Sequence, residues 1–156
     1  MINIGKLGKW LLVMAYLSLI GGSFHVAPMQ TYTNTPLRRL FRSLSPSSVL
    51  WTEMEKLEDL GSEEALRRRF GSPNDFVESN LVLQLGGNDV HKIRSVVKRA
   101  VSLYDFRSIN LNCGCPSITS GGGSTFGASL MKDKELTAEL LGAIKEEISA
   151  KPVTVS

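Results

Sequence analysis

The clearest sign of chemistry in this chain is a pair of cysteines, one residue apart, directly after a strand-like segment. Residues 108–112 alternate polar and apolar side chains with the two-residue period of a β-strand, and Gly114 and Pro116 end that pattern. Cys115 is therefore predicted to lie on a turn, where its thiol is available for reaction. We expect Cys113 to pack against the core instead.

The cysteine count also indicates the compartment and restricts the kinds of site. Two cysteines this close in sequence provide no disulfide framework, which is typical of a protein from a reducing compartment. A structural zinc site needs four ligands, and His25 and His91 are the only histidines. Because such a site would have to be assembled from distant strands, the sequence predicts no metal centre.

The composition is that of one globular domain with a small excess of basic residues. Of the 156 residues, 42% are hydrophobic and 21% are charged, and the net charge is +3. Arginines cluster at residues 38–42 and at residues 67–69. Arg38 and Arg42 are four residues apart and would share a helix face, which would be either solvated or in contact with phosphates.

Residues 1–23 form a hydrophobic leader. Lys6 and Lys9 precede an apolar run at residues 10–20, and two glycines and a serine at 21–23 close it, which is the layout of a signal peptide. The run is shorter than the roughly 20 residues that span a bilayer, so no stable membrane span is predicted. A packed N-terminal helix and a misassigned translation start are the other two interpretations.

After the leader, strand patterns alternate with helix patterns, which predicts an α/β fold with a parallel sheet covered by helices. Strands are predicted at residues 24–29, 49–53, 81–85, 106–112 and 152–155, and helices at residues 35–43, 62–70, 89–103 and 134–150. The carboxyl ends of parallel strands share one edge of a sheet. Met29, Glu53, Gln84 and Cys115 are therefore expected at one common edge.

Several blocks of this sequence carry a family resemblance. They read VAPMQTYTN at 26–34, WTEM at 51–54, LVLQLGG at 81–87, INLNCGCPS at 109–117 and FGASLM at 126–131. With this order and spacing, the chain resembles the tRNA-dihydrouridine synthases, most closely their A-type branch, from about residue 24 to residue 155. The resemblance implies a TIM (β/α)₈ barrel, of which residues 24–156 would supply the first four βα units and the start of strand five. A complete barrel needs about 250 residues, so a complementing C-terminal half is expected.

The resemblance also implies a reaction and its cofactors. Enzymes of this family use FMN, reduced by NADPH, to reduce the 5,6 double bond of a uridine in tRNA. By resemblance, Pro28, Met29 and Gln30 would line the flavin ring, and Gln84 would hydrogen-bond to it. An enzyme that acts on tRNA is expected inside the cell, in the cytosol or in an organelle.

Two further roles follow from the resemblance. Cys115 would protonate carbon 5 of the uracil, a role that suits a thiol with an ordinary pKa of about 8.5. Asn112 would contact the target nucleotide, because its amide can both donate and accept hydrogen bonds.

Some residues depart from the family pattern or suggest a different function. Residues 118–120 lack the basic side chain that usually follows the catalytic turn, and the glycines at 121–123 lack the spacing of a phosphate-binding loop. Glu53 and Glu55 could form an acid/base pair on one strand face, but we expect them to be solvated. Two alternatives to a catalytic chain are a half-barrel that binds tRNA or protein through its arginine clusters, and a truncated gene model.

Overall fold

A computed structural model describes residues 23–72, 78–116 and 126–156. Nearly all of the predicted leader and the glycine-rich loop at 121–124 lie outside these residues.

The described chain alternates strands and helices. The strands are β1 (His25–Val26), β2 (Val49–Lys56), β3 (Leu81–Gly86), β4 (Phe106–Leu111) and β5 (Thr154–Val155). The helices are α1 (Thr35–Leu44), α2 (Glu63–Phe70), α3 (Val90–Leu103) and α4 (Lys134–Ile148), with short 3₁₀ helices at Leu57–Leu60 and Gly127–Lys132. The helices begin within one residue of their predicted starts.

All five strands pair in parallel, in the order in which they occur along the chain. Each strand therefore lies beside its nearest neighbours in sequence, and each connection between two strands includes a helix. The α/β fold predicted from the alternating pattern is confirmed.

The hydrophobic core lies between one face of the sheet and the helices. Its fully buried members include Leu83, Leu85 and Ile109 from the strands and Ile93, Val97 and Ile144 from α3 and α4. Burial of each large aliphatic side chain contributes about 1.5–3 kcal/mol. Because side chains alternate along a strand, the residues between these positions, such as Gln84, point to the opposite face.

Capping side chains explain why the helices begin where they do. The side chains of Asn34, Ser62, Asp89 and Asp133 each accept a hydrogen bond from a backbone N–H in the first turn of the following helix. These side chains satisfy N–H groups that would otherwise lack partners.

Neither interpretation of the first arginine cluster is correct for Arg38, and Arg42 also has hydrogen-bond partners within the protein. Arg38 is only 2% exposed and forms an ion pair of 2.7 Å with Glu78, so it lies neither on a solvated face nor in a position to bind phosphate. Arg42 donates hydrogen bonds to the backbone oxygens of Ser48 and Ser79, both at 2.6 Å. Glu78 and Ser79 are distant in sequence from the helix, and helical spacing gave no sign of them.

Candidate active site

A cleft of about 690 Å³ lies on the side of the sheet away from the core, within the usual range for small-molecule sites. Its walls come from the segment after β1, from β2, β3 and β4, and from the turn after β4. The lining residues are Pro28, Gln30, Trp51, Met54, Lys56, Gln84, Asn110, Leu111, Asn112, Cys113, Gly114 and Cys115.

Most residues predicted for the site lie together in this cleft. The lining includes Pro28, Gln30, Gln84, Asn112 and Cys115. Met29 is not among the lining residues, and the residue is 41% exposed. The topology explains the convergence, since parallel strands bring their carboxyl ends to one edge.

Asn112 connects the turn that carries Cys115 to strand β3. Its Oδ1 accepts hydrogen bonds from the backbone N–H groups of Gly114 (3.2 Å) and Cys115 (2.9 Å). Its Nδ2 donates to Oε1 of Gln84 at 3.1 Å. These three bonds fix the orientation of the Asn112 amide and leave one of its N–H groups for another partner.

Gln84 and Asn110 continue this connection across the sheet. Nε2 of Gln84 donates to Oδ1 of Asn110 at 2.9 Å, and Nδ2 of Asn110 donates to the backbone oxygen of Ser156 at 2.9 Å. We call Asn112, Gln84 and Asn110 the amide row. Asn110 was not among the residues predicted for the site, although it occupies a polar position in the strand alternation.

Cys115 is half-buried, and both polar atoms of its backbone are occupied. Its N–H donates to Asn112, and its carbonyl oxygen accepts a hydrogen bond from the N–H of Ala128 at 2.9 Å. Cys113 is also half-buried and packs against the hydrophobic core, and burial raises the pKa of its thiol. The thiol of Cys115 therefore lies on a turn with a fixed backbone.

Strand β2 contributes three lining residues that were not predicted for the site: Trp51, Met54 and Lys56. Nε1 of Trp51 donates to Nδ1 of His25 at 3.1 Å, which ties β2 to β1. Among the lining residues in the described part of the chain, Lys56 is the only charged one. It lies at the carboxyl end of β2.

The prediction that Glu53 and Glu55 are solvated is wrong. Glu53 is 5% exposed and Glu55 is 1% exposed, and both face Arg69 of α2. Nε of Arg69 donates to Glu55 at 2.5 Å, while an Nη atom lies 3.6 Å from Glu53. Burial raises the pKa of Glu55, and the bond to Arg69 partly opposes that effect. The charged residues do not end β2, which continues to Lys56.

Glu53 also supports the segment that carries Pro28 and Gln30. One carboxylate oxygen of Glu53 accepts a hydrogen bond from the backbone N–H of Thr31. Thr31 has a φ of +68°, a left-handed conformation that is unusual for a β-branched residue. The buried carboxylate therefore stabilises an unfavourable backbone beside the cleft.

Two further observations concern other kinds of site. Within residues 23–72, 78–116 and 126–156, no three His, Cys, Asp or Glu side chains lie close enough together to share a metal ion. Every helix in those ranges is too short or too polar to cross a bilayer.

Comparison with known proteins now identifies the family. The sequence profile described as dihydrouridine synthase matches residues 25–156. The chain belongs to the dihydrouridine synthase family. Membership confirms the resemblance seen in the sequence blocks, and the sequential parallel sheet is consistent with part of the family's barrel.

Several curated relatives are named tRNA-dihydrouridine(20/20a) synthases. The protein of Xylella fastidiosa (strain 9a5c) is 40% identical over 140 residues, which cover 87% of this chain and 39% of the relative. The Pasteurella multocida protein is 37% identical, over 86% of this chain and 39% of the relative. The Synechocystis protein is 33% identical, over 83% of this chain and 37% of the relative. The chain thus spans about two fifths of the length of these relatives.

Proposed function

We propose that this chain forms the proton-donor part of an FMN-dependent tRNA-dihydrouridine synthase. The observation that carries the proposal is the amide row, because Asn112 hydrogen-bonds both to Gln84 and to the backbone of Cys115. The residue proposed to bind the flavin and the residue proposed to give the proton are thereby held in one cleft.

The cleft fits a flavin ring. Pro28, Met54 and Leu111 provide apolar surface, and Gln84 keeps one N–H and one lone pair beyond its two bonds within the amide row. When bound and reduced by NADPH, FMN supplies the hydride for carbon 6 of the uracil. Gln30 and Gln84 would hold the polar edge of the ring, and Met29 lies beside this wall.

Cys115 completes the reduction as a general acid. As carbon 6 gains the hydride, carbon 5 takes the proton of the thiol, so that a C–H bond forms and the S–H bond breaks. The thiolate then regains a proton from water.

The substrate is a uridine in tRNA, and the base must leave its stack to reach the cleft. The remaining N–H of Asn112 can donate to a uracil carbonyl there. Lys56 lines the same cleft, and the segment after Cys115 lacks the family's usual basic residue. The alternative of a chain that only binds tRNA or protein is less well supported, since Arg38, Arg42 and Arg69 are engaged within the protein.

The test uses a chimera in which residues 24–156 replace the matching part of the Xylella fastidiosa relative. We expect the chimera to form dihydrouridine in tRNA, measured by mass spectrometry of nucleosides. Cys115→Ala should lower the rate about 10²–10⁴-fold, the usual range for loss of a general acid, and leave flavin absorbance intact.

Cys113→Ala provides a matched comparison, because it makes the same chemical change two residues away. Its effect on the rate should be much smaller than that of Cys115→Ala. A Cys115→Ala chimera as active as the parent would refute the role of the acid. A folded chimera that neither binds flavin nor forms product would refute the proposed function as a whole.

A further inference from the structure

The backbone of Cys115 is held by a segment that follows it in sequence. Ala128 donates its N–H to the Cys115 carbonyl oxygen at 2.9 Å, at the start of the 3₁₀ helix Gly127–Lys132. Asn112 already holds the N–H of Cys115. The peptide groups on both sides of this residue are therefore fixed, by two different parts of the chain.

Gly127 makes the close approach possible. Its φ is +65°, a conformation that side-chain-bearing residues rarely adopt. A Cβ atom at this position would lie 2.4 Å from the carbonyl oxygen of Cys115, which is far closer than normal contact. Any larger residue at 127 must therefore displace the turn that carries the thiol.

Phe126 fixes this segment to the sheet. Its side chain is 9% exposed and lies over the end of β3, where a Cβ atom on Gly86 would come within 3.1 Å of the ring. The same Cβ would lie 2.9 Å from the sulfur of Met54 in β2. The missing side chain at Gly86 thus leaves room for both neighbours, and Phe126 packs against the end of β3.

We propose that residues 126–128 form a clamp that positions the Cys115 thiol. Phe126 anchors the clamp to the sheet, Gly127 admits the Cys115 carbonyl, and Ala128 binds it. The catalytic importance of the clamp rests on the proposed function. The effect of the clamp on the position of the thiol does not rest on that function, so the clamp and the proposed function can be refuted separately. Position matters here because a displacement of about 1 Å can lower a rate about 10²-fold.

The test measures the reactivity of the thiol in the chain itself. In a Cys113→Ser background, Cys115 is the only thiol, and its alkylation by iodoacetamide is followed as a function of pH. Gly127→Ala introduces the contact with the Cys115 carbonyl, and Ala128→Pro removes the N–H donor. We expect both variants to raise the alkylation rate several-fold, because the released turn exposes the thiol.

Two controls separate the clamp from general destabilisation. Ala128→Gly keeps the N–H donor, and Gly142→Ala adds a methyl group in α4 where no heavy atom lies within 4 Å. Both should alkylate at the parental rate, and circular dichroism should show parental helix content. Parental alkylation in folded Gly127→Ala and Ala128→Pro, or an equal increase in Ala128→Gly, would overturn the proposal.

Hydrogen exchange gives a second measurement that needs no clamp variant. The Ala128 amide donates to Cys115, so we expect its exchange with solvent to be slow. Free exchange of this amide in the folded chain would also overturn the proposal.

Discussion

At the scale of single residues, a buried carboxylate makes the stability of this protein depend on pH. Glu55 is almost fully buried beside Arg69, and burial raises its pKa above the ordinary value. Between its unfolded and folded pKa values, the folded state binds more protons than the unfolded state. Ionisation of Glu55 therefore lowers the free energy of unfolding as the pH rises through this range.

Glu55→Gln removes this ionisation while keeping an oxygen that accepts from Arg69. We expect the free energy of unfolding of the variant, relative to the parent, to increase as the pH rises from about 4 to 7. Urea denaturation at several pH values measures the difference. Glu58→Gln is the control, because Glu58 is exposed and pairs only at the surface, with Lys92. A relative stability that falls with pH would mean that Arg69 dominates over burial.

At the scale of secondary-structure elements, small residues at the strand ends determine how closely the elements pack. Gly87 follows β3, and a Cβ atom there would lie 2.3 Å from Cδ1 of Leu57 in the 3₁₀ helix after β2. Leu57 is 2% exposed and has little room to move. The connection after β2 can therefore pack tightly against the end of β3 only if residue 87 lacks a side chain.

Gly87→Ala should lower the free energy of unfolding by about 1–3 kcal/mol, the usual cost of overpacking a core. Gly142→Ala has the opposite expected sign, because alanine favours the helix interior by up to about 1 kcal/mol over glycine. Chemical denaturation measures the free energy of unfolding of both variants. A Gly87→Ala variant as stable as the parent would show that Leu57 moves without cost.

Periodicity predicted the elements better than it predicted their ends. Asp89 and Ser62 stood directly before apolar helical patterns, and both are N-caps in the structure. Strand β2 was predicted to end at Glu53, before a charge-rich stretch, but it continues to Lys56, and Glu53 and Glu55 are buried beside Arg69 of α2. Residues that meet only in the folded chain cannot be recognised from the spacing of nearby residues in the sequence.

The candidate site could likewise be predicted only in part from the sequence. Topology placed Gln84 and Cys115 in one cleft, as expected for the carboxyl edge of a parallel sheet. The bonds within the amide row depend on the register between β3 and β4, which aligns Gln84 with Asn110. Register is set by packing across the sheet, so the sequence alone could not reveal these bonds.

At the scale of the whole molecule, a buried ion pair joins distant parts of the chain. Arg38 of α1 binds Glu78, which precedes β3, and their side chains are 2% and 5% exposed. Arg38 also donates to the backbone oxygen of Thr33 at 2.7 Å. The segment after β1, the first helix and the approach to β3 are thereby connected.

Arg38→Leu leaves the Glu78 carboxylate buried without its cation, so we expect a loss of about 3–5 kcal/mol in the free energy of unfolding. Arg67→Leu is the matched control, because the pair with Glu63 is exposed and should contribute less than about 1 kcal/mol. Adding Glu78→Gln to Arg38→Leu should restore part of the stability. Equal losses in the two single variants would refute the importance of burial.

The sequential order of the strands also has a consequence for synthesis on the ribosome. Each strand after the first pairs with the strand made just before it, so the sheet can grow by one βα unit at a time as the chain emerges. The turn that carries Cys115 is an exception, because the carbonyl oxygen of Cys115 can accept its hydrogen bond only after Ala128 has been synthesised. We expect the thiol to reach its final position only after the following segment has left the exit tunnel.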